Sequence, residues 1–268
     1  IEANPRASRT VPFVSKATGV QLAKAAVLIG LGKTIAELKA EGYLPQHMDG
    51  ASLPQETAIA VKAAVLPFAR FRTPEGVVVD SLLSPEMRST GEVMGLDQHF
   101  DTAFAKAQAG AGSPMPTSGK VFISVANHDK RNVIIYAKML ESLGFEIVST
   151  GGTAEILRRN GLNSILVASK FAEANGDHSI VDMVRNGDID LILNTPAGGA
   201  ARSDGYEIRA AAVSVGCPVM TTISEFAAAV QAITALREHS WDIMSLQEHD
   251  VKLAAAVDAR LASEGGEA

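Results

Sequence analysis

After residue 119 the chain alternates short apolar runs with segments of helical period, and no other feature restricts its fold as much. The runs are Val121-Phe-Ile-Ser-Val125, Glu146-Ile-Val-Ser149, Ser164-Ile-Leu-Val167, Leu191-Ile-Leu193 and Pro218-Val-Met-Thr-Thr222. Between them lie amphipathic stretches. One carries Val133, Tyr136, Ala137 and Leu140 and closes at Gly144; another, after Thr222, carries Phe226, Val230, Ile233 and Leu236. Alternating strand and helix patterns predict a parallel α/β sheet with right-handed crossovers. Such a sheet binds ligands beyond the carboxyl ends of its strands, where strand order reverses.

The residues at those strand ends are polar in every case. Asn127, His128, Asp129 and Lys130 follow the first strand and are expected at a helix N-terminus, close after Ser124. Ser149-Thr-Gly-Gly-Thr153 follows the second, placing Thr150 and Thr153 at the start of the next helix. Lys170 follows the third strand, Asn194 and Thr195 the fourth, and Thr221-Thr222 ends the fifth. Backbone N–H groups at a helix start, flanked by hydroxyls, form a phosphate cradle. Taken singly, Ser, Thr and Asn at such places are ordinary N-caps and a lone lysine is a solvated one. Their recurrence along one rim, with two lysines among them, points instead to an anion site.

Ahead of this region, residues 110–118 form a Gly/Ser/Pro-rich linker of the kind that separates domains. The first nine residues bring Glu2, Asn4, Arg6 and Arg9 together. Glu2 and Asn4, spaced i, i+2, share a face if the segment is a strand. A carboxylate beside an amide oxygen suits Mg²⁺, and the two guanidinium groups suit phosphate or carboxylate oxygens. On spacing alone an ordinary strand and turn is favoured over a metal site. Leu22, Ala25, Ala26 and Ile29 predict an apolar helix ending near Gly30 and Gly32. Gly30-Leu-Gly-Lys-Thr34 lacks the first glycine of a P-loop, where Val27 stands, and the third of a dinucleotide fingerprint, where Ile35 stands. Further on, Ala64–Phe68 and Gly76–Asp80 are expected as strands, with a polar loop over 84–95. The Ala-rich tail is expected to be a helix that frays at Gly265-Gly-Glu-Ala268.

Three motifs carry a resemblance. Glu2-Ala-Asn4-Pro-Arg6-Ala-Ser-Arg9-Thr-Val-Pro-Phe-Val-Ser-Lys-Ala-Thr-Gly19 resembles the closing strand and loop of the second ATP-grasp domain in the carbamoyl-phosphate synthetase large-subunit family. Pro85-Glu-Met-Arg-Ser-Thr-Gly-Glu-Val-Met-Gly95, followed by Phe104-Ala-Lys-Ala-Gln108, is similar to the same subunit near its carbamoyl-phosphate-forming site. Residues 119 to about 252 look like a methylglyoxal-synthase-like domain, the regulatory domain of that subunit. The resemblance implies an α/β chain in which residues 1–109 end an ATP-grasp domain, 110–118 link, and 119–268 form a Rossmann-like allosteric domain. The chain also begins without an initiator Met, as expected of the C-terminal part of a larger enzyme.

The resemblance implies a function as well. The family's reaction is glutamine-dependent, two-ATP synthesis of carbamoyl phosphate for pyrimidine and arginine biosynthesis. Glu2 and Asn4 would hold Mg²⁺ or Mn²⁺ against ATP, Arg6 would stabilise the transferring phosphoryl group, Arg9 would orient carbamate, and Glu92 would line a carbamate tunnel. Ser124, Lys130, Thr150, Thr153, Lys170, Asn194 and Thr195 would bind an effector such as UMP or IMP. Partners would be a glutaminase small subunit and the remainder of the large subunit, in a homo-oligomer of heterodimers, and a fragment of this length is expected to be inactive alone. Ornithine-activated members carry a glutamate after the lysine matched by Lys62; Ala63 stands here, so ornithine activation is expected to be weak or absent.

Two rival readings remain. A methylglyoxal synthase-type lyase needs two aspartates near the phosphate; Asp177 matches one, but the other position holds Asn194, which cannot act as a carboxylate base. The role expected of Asp177 is instead to cap the helix containing Ile180, Val181 and Val184. An oligomerisation domain without catalysis would bind no nucleotide. Composition trims the field further. A net charge of −6 argues against broad nucleic-acid binding. No apolar run is long enough for a membrane span. A single cysteine, Cys217, excludes an internal disulfide, fits a reducing cytoplasm, and reads as a small buried residue.

Overall fold

The apolar runs after residue 119 resolve into a parallel sheet with helices packed on it. The computed structural model describes residues 6, 8–46, 53–70, 81–83, 86–169, 178–196, 198–239 and 241–264. They fall into two units: Ile1–Lys62 with Leu96–Ala103 and Trp241–Ala268, and Ala63–Gly95 with Phe104–Ser240. The linker expected at 110–118 lies inside the second of these, and the C-terminal residues group with the first.

The first unit is built around helices. These are α1 (Thr10–Thr18), α2 (Leu22–Gly30), α3 (Ile35–Ala40) and, at the far end of the chain, α10 (Leu246–Glu264). α1 stops at Gly19, whose φ of 71° is left-handed; a Cβ there would also lie 2.7 Å from Asp250 Oδ1. α2 ends where its glycines predicted. Thr34 then opens α3 with a capping box: its hydroxyl accepts from Glu37 N–H while the Glu37 carboxylate accepts from Thr34 N–H at 2.8 Å. The Gly30–Thr34 run is therefore a helix end followed by a helix cap. Glu56 binds Arg260 Nε at 2.8 Å, holding the segment before Lys62 to α10.

Two strands, β1 (Ile59–Val65) and β2 (Gly91–Asp97), form a separate two-stranded sheet, and α4 (Phe100–Gly110) follows. The strand expected at Ala64–Phe68 thus begins and ends earlier. Pro67 has no N–H for a ladder, and a 3₁₀ turn over Phe68–Arg70 takes over. The polar loop expected over 84–95 gives way at Gly91 to β2, and the strand expected at Gly76–Asp80 lies outside the described residues.

The second unit holds β3 (Lys120–Ser124), α5 (Val133–Ser142), β4 (Glu146–Ser149), α6 (Gly151–Arg159), β5 (Ile165–Ser169), β6 (His178–Ser179), α7 (Ile180–Arg185), β7 (Leu191–Asn194), α8 (Gly198–Val215), β8 (Val219–Met220) and α9 (Ile223–Glu238). Its six strands run parallel in the order β6-β5-β4-β3-β7-β8. Both sheet faces are covered, so the central strands are apolar at successive positions between their ends rather than at alternate ones. Phe122, Val148 and Ile192, opposite one another in register, pack with Ile180, Val181 and Val184 of α7 and Ile208, Ala211 and Ala212 of α8. The intervening residues Val121, Ile123, Ile147, Leu191 and Leu193 are equally buried. α5 and α9 pack on each other through an edge-to-face contact of Tyr136 and Phe226, with ring centroids 6.4 Å apart. β8 is shorter than the run Pro218–Thr222 suggested, because Thr222 is already the N-cap of α9 and accepts from Glu225 N–H at 3.2 Å. No described helix is long and apolar enough to cross a membrane.

Two half-buried groups give checks on this core. Cys217 donates to the Ile189 carbonyl at 3.3 Å, and burial, reinforced by the Asp190 carboxylate, pushes its thiol up to about 12. Native protein at pH 8 should therefore alkylate with iodoacetamide about a thousandfold more slowly than an ordinary thiol, as the smaller thiolate fraction dictates, and at the ordinary rate once unfolded. Burial also raises the Glu225 carboxyl above its ordinary 4.5, only partly offset by the Thr221 N–H donated to it. The folded state then binds the extra proton, so its contribution to stability is present below 4.5 and lost as pH rises through the folded value. In thermal melts, Glu225→Gln should gain in Tm over wild type as pH is raised from 4 to 7.5, with the two converging at the acid end.

Candidate functional site

β3 occupies the middle of the sheet. The chain leaves it toward β4 on one side and returns to its other side as β7, so strand order reverses between β3 and β7 and a crevice opens beyond their carboxyl ends. Register sets what lines it. Ser124 is the residue opposite Asn194, and Ile123 is opposite Ser149, immediately before Thr150. Three loops consequently deliver polar side chains to one place.

The contacts there link the three loops. Ser124 Oγ lies 3.2 Å from Thr150 Oγ1. Thr153 Oγ1 accepts from Val125 N–H at 3.4 Å, and Thr195 Oγ1 accepts from Ala126 N–H at 2.9 Å. Asn194 Nδ2 is 3.5 Å from the Ser124 carbonyl, which also accepts from Thr195 N–H at 3.2 Å. Thr153, Asn194 and Thr195 are buried, at 2%, 8% and 7% exposure, and form the floor; Ser124, Thr150 and Lys130 are half-buried and form the lip.

α6 starts at this point with Thr150 as its N-cap residue, yet the Thr150 hydroxyl makes no capping bond and turns to Ser124 instead. The first bonds of the helix run from Thr153 N–H and Ala154 N–H to the Thr150 carbonyl, at 3.0 and 2.8 Å. The amides of Gly151 and Gly152 come before them, in the turn that has no intrahelical acceptor. A Cβ on Gly152 would sit 3.3 Å from Lys130 Nζ, which places the ammonium over the positive end of that helix. Two positive features side by side are a stable arrangement only with an anion or water between them.

The floor leans toward donation. A hydroxyl whose oxygen accepts a backbone N–H has one lone pair fewer and still has its proton to give, and this holds for both Thr153 and Thr195. Asn194 has the same bias for a different reason. Its Oδ1 accepts from Arg209 Nη1 at 3.0 Å. Arg209 lies on α8 and is fully buried, so a guanidinium without acceptors would cost several kcal/mol. The close approach depends on Gly205: a Cβ there would fall 2.2 Å from Arg209 Nη1 and 2.5 Å from Asn194 Oδ1.

Of the residues singled out in the sequence, Ser124, Lys130, Thr150, Thr153, Asn194 and Thr195 come together here. Lys130 does so from a position other than the one expected: residues Asn127–Asp129 form a 3₁₀ turn with Lys130 as its C-cap, and α5 begins only at Val133. Lys170 and Asp177 lie outside the described residues, as do Glu2 and Asn4. Ser179, and not a residue before it, caps α7 by accepting from Asp182 N–H at 3.2 Å. Arg6 and Arg9 are exposed, Arg9 at the N-cap position of α1 without a side-chain cap bond, and Glu92 is exposed on β2. Arg209 is the residue that sequence reasoning missed. Its signal was a lone cation inside Ile208-Arg-Ala-Ala-Ala-Val213, an apolar stretch that buries whatever it contains.

The MGS-like domain family matches residues 132–221, which run from the start of α5 past the end of β8 and take in the crevice residues that follow β4 and end β7. Almost the whole chain is similar to proteins named carbamoyl phosphate synthase large chain. Identity is 69% over 255 residues with that of Kocuria rhizophila, covering 94% of this chain and 23% of the relative. It is 64% over 260 residues with that of Micrococcus luteus and 56% over 260 residues with that of Streptomyces griseus, each covering 96% of this chain and 24% of the relative. The chain therefore spans about a quarter of the length of the curated relatives it matches. Through nearly all of its own residues the chain matches about a quarter of a carbamoyl phosphate synthase large chain, and it carries an MGS-like domain.

Proposed function

We propose that this chain is the C-terminal part of the large chain of a glutamine-dependent carbamoyl phosphate synthase, and that its crevice binds a regulatory nucleoside monophosphate. One observation carries the second half of that reading: the Thr153, Thr195 and Asn194 oxygens already accept bonds from within the protein. The two hydroxyl protons, the Asn194 N–H groups, the start of α6 and the Lys130 ammonium are then the donors left at this place, and a phosphate dianion presents acceptors to such groups. UMP is the effector expected from the family, with IMP as the purine counterpart. Lys170, which follows β5, is proposed as a second cation for the same phosphate. The lyase alternative fares worse. It would need a carboxylate where Asn194 stands, with its oxygen toward Arg209.

The remaining assignments concern the synthase as a whole. Residues 1–109 would contribute the end of the second ATP-grasp domain, 110–118 the link and 119–268 the allosteric domain. Arg6 and Arg9 would contact the phosphoryl group and carbamate, and Glu92 the carbamate path. Glu2 and Asn4 are proposed to hold Mg²⁺ or Mn²⁺, which would neutralise nucleotide phosphate charge; among the described residues no cluster of three or more His, Cys, Asp or Glu side chains offers another metal site. ATP would be a substrate. The partners would be a glutaminase small subunit and the rest of the large chain, assembled as a homo-oligomer of heterodimers in the cytoplasm. A quarter of such a large chain would not make carbamoyl phosphate alone.

Calorimetric titration of the chain with UMP tests the regulatory reading. Saturable binding is expected, weakened about 10- to 100-fold in Lys130→Ala, because one charge-assisted hydrogen bond contributes about 1.5–3 kcal/mol. A folded wild-type chain that binds neither UMP nor IMP would leave an assembly element in place of a sensor. In the complete synthase, added ornithine is expected to leave the rate of carbamoyl phosphate formation unchanged, since Ala63 supplies no carboxylate for its amine. An ornithine-dependent rise would count against that assignment.

A further inference from the structure

We propose that Arg209 is a positioning residue for the crevice: it locks the Asn194 carboxamide with its oxygen inward, so that Asn194 can show a ligand only N–H donors. The proposal rests on the reading of the crevice as an anion site and says which buried residue sets its polarity. An asparagine side chain is nearly symmetric in shape, with an acceptor on one arm and two donors on the other, and a free one turns over to suit either kind of ligand. Arg209 removes that freedom. A guanidinium has five donors and no acceptor, so the arm of Asn194 that faces Nη1 at 3.0 Å has to be the oxygen. Arg209 is itself fully buried on α8, and the absent side chain of Gly205 leaves it room to reach β7. Asn194 Nδ2 is thereby turned to the Ser124 side, where β3 and β7 end together. The consequence is selectivity: fully ionised, acceptor-only groups are accepted, and a ligand arm that must donate is refused. Arg209 acts through Asn194 without touching the ligand.

The test is a calorimetric cycle on the 268-residue chain with UMP and inorganic phosphate as probes. Arg209→Gln should lose about tenfold or more in affinity, because glutamine can pair with either arm of Asn194 and no longer fixes it. Arg209→Lys, again a donor without an acceptor, should recover part of that loss. Combining Arg209→Gln with Asn194→Ala should weaken binding no further than Asn194→Ala alone, a non-additivity that a general packing role would not produce. Should Arg209→Gln fail to fold, Asn194→Asp decides. The aspartate keeps an acceptor for Arg209 and with it the melting temperature, but it has no donor for the probe, so affinity should fall about tenfold or more. Additive losses in the cycle, or wild-type affinity in Asn194→Asp, would overturn the proposal while leaving the anion site standing. If the wild-type chain binds neither probe, the anion site fails and the proposal with it.

Discussion

The pairing of β3 with β4 on one side and β7 on the other is the constraint on which the rest of the second unit depends. Parallel neighbours cannot be joined by a hairpin, so each needs a crossover, and the crossovers supply helices to the faces of the sheet. Lys120 pairs with Glu146 and Val121 with Leu191, so all three strands rise in step and finish together. That common finish, more than any single residue, brings Ser124, Thr150 and Asn194 into one crevice. The Ser149 hydroxyl reinforces it by donating to the Ile123 carbonyl at 2.6 Å, fastening β4 to β3 at the rim itself. At the opposite end, Asp190 accepts from Lys120 N–H at 2.7 Å, and Gly119, with φ 115°, leaves space for that carboxylate.

The crevice is polar in a directed way because its acceptors are already engaged. Backbone N–H groups of Val125 and Ala126, which have run past the end of the β3 ladder, need acceptors and find them in Thr153 and Thr195. Satisfying the backbone thus fixes the hydroxyls, and the fixed hydroxyls set the character of the floor. Preorganisation of this kind lowers the ordering cost of binding, since none of these side chains has to be recruited from solvent. The same economy explains why the Thr150 hydroxyl forgoes its capping bond: a cap is worth about 1 kcal/mol, and a hydroxyl bond to Ser124 with a helix start left open to an anion replaces it.

The sheet was legible in the sequence where burial leaves only one pattern. β4 falls on Glu146–Ser149 as read, and the helices after Val133 and Thr222 carry the apolar positions expected of them. Local chemistry misled where it is short-ranged. β1 stops before Pro67, β8 yields two residues to the Thr222 cap, and α3 rests on a capping box within six residues that apolar periodicity does not register. The site residues on β3, α6 and β7 were legible because strand ends are marked by a change from apolar to polar. Arg209 was not, because its partner lies fifteen residues away on another element and only the packing of α8 against the sheet brings them together. A Gly/Ser/Pro-rich stretch marks where a chain can bend, whereas the Glu56–Arg260 ion pair and the approach of Gly19 to Asp250 join α10 to the first residues of the chain across most of its length.

Position 194 shows how little of the function lies in the fold. A Rossmann-like sheet offers the same crevice to a catalyst and to a sensor, and the distinction has to come from the groups at its rim. Arg209 would serve an aspartate as well as it serves Asn194, since either presents an oxygen to the guanidinium. With an aspartate, the second oxygen would face the ligand as an acceptor or a base; with asparagine, an amide faces it as a donor that cannot take a proton. The same buried support is therefore compatible with opposite chemistries, and a change of one atom at its tip separates them. The asparagine in this chain supplies the donor that the proposed effector site calls for.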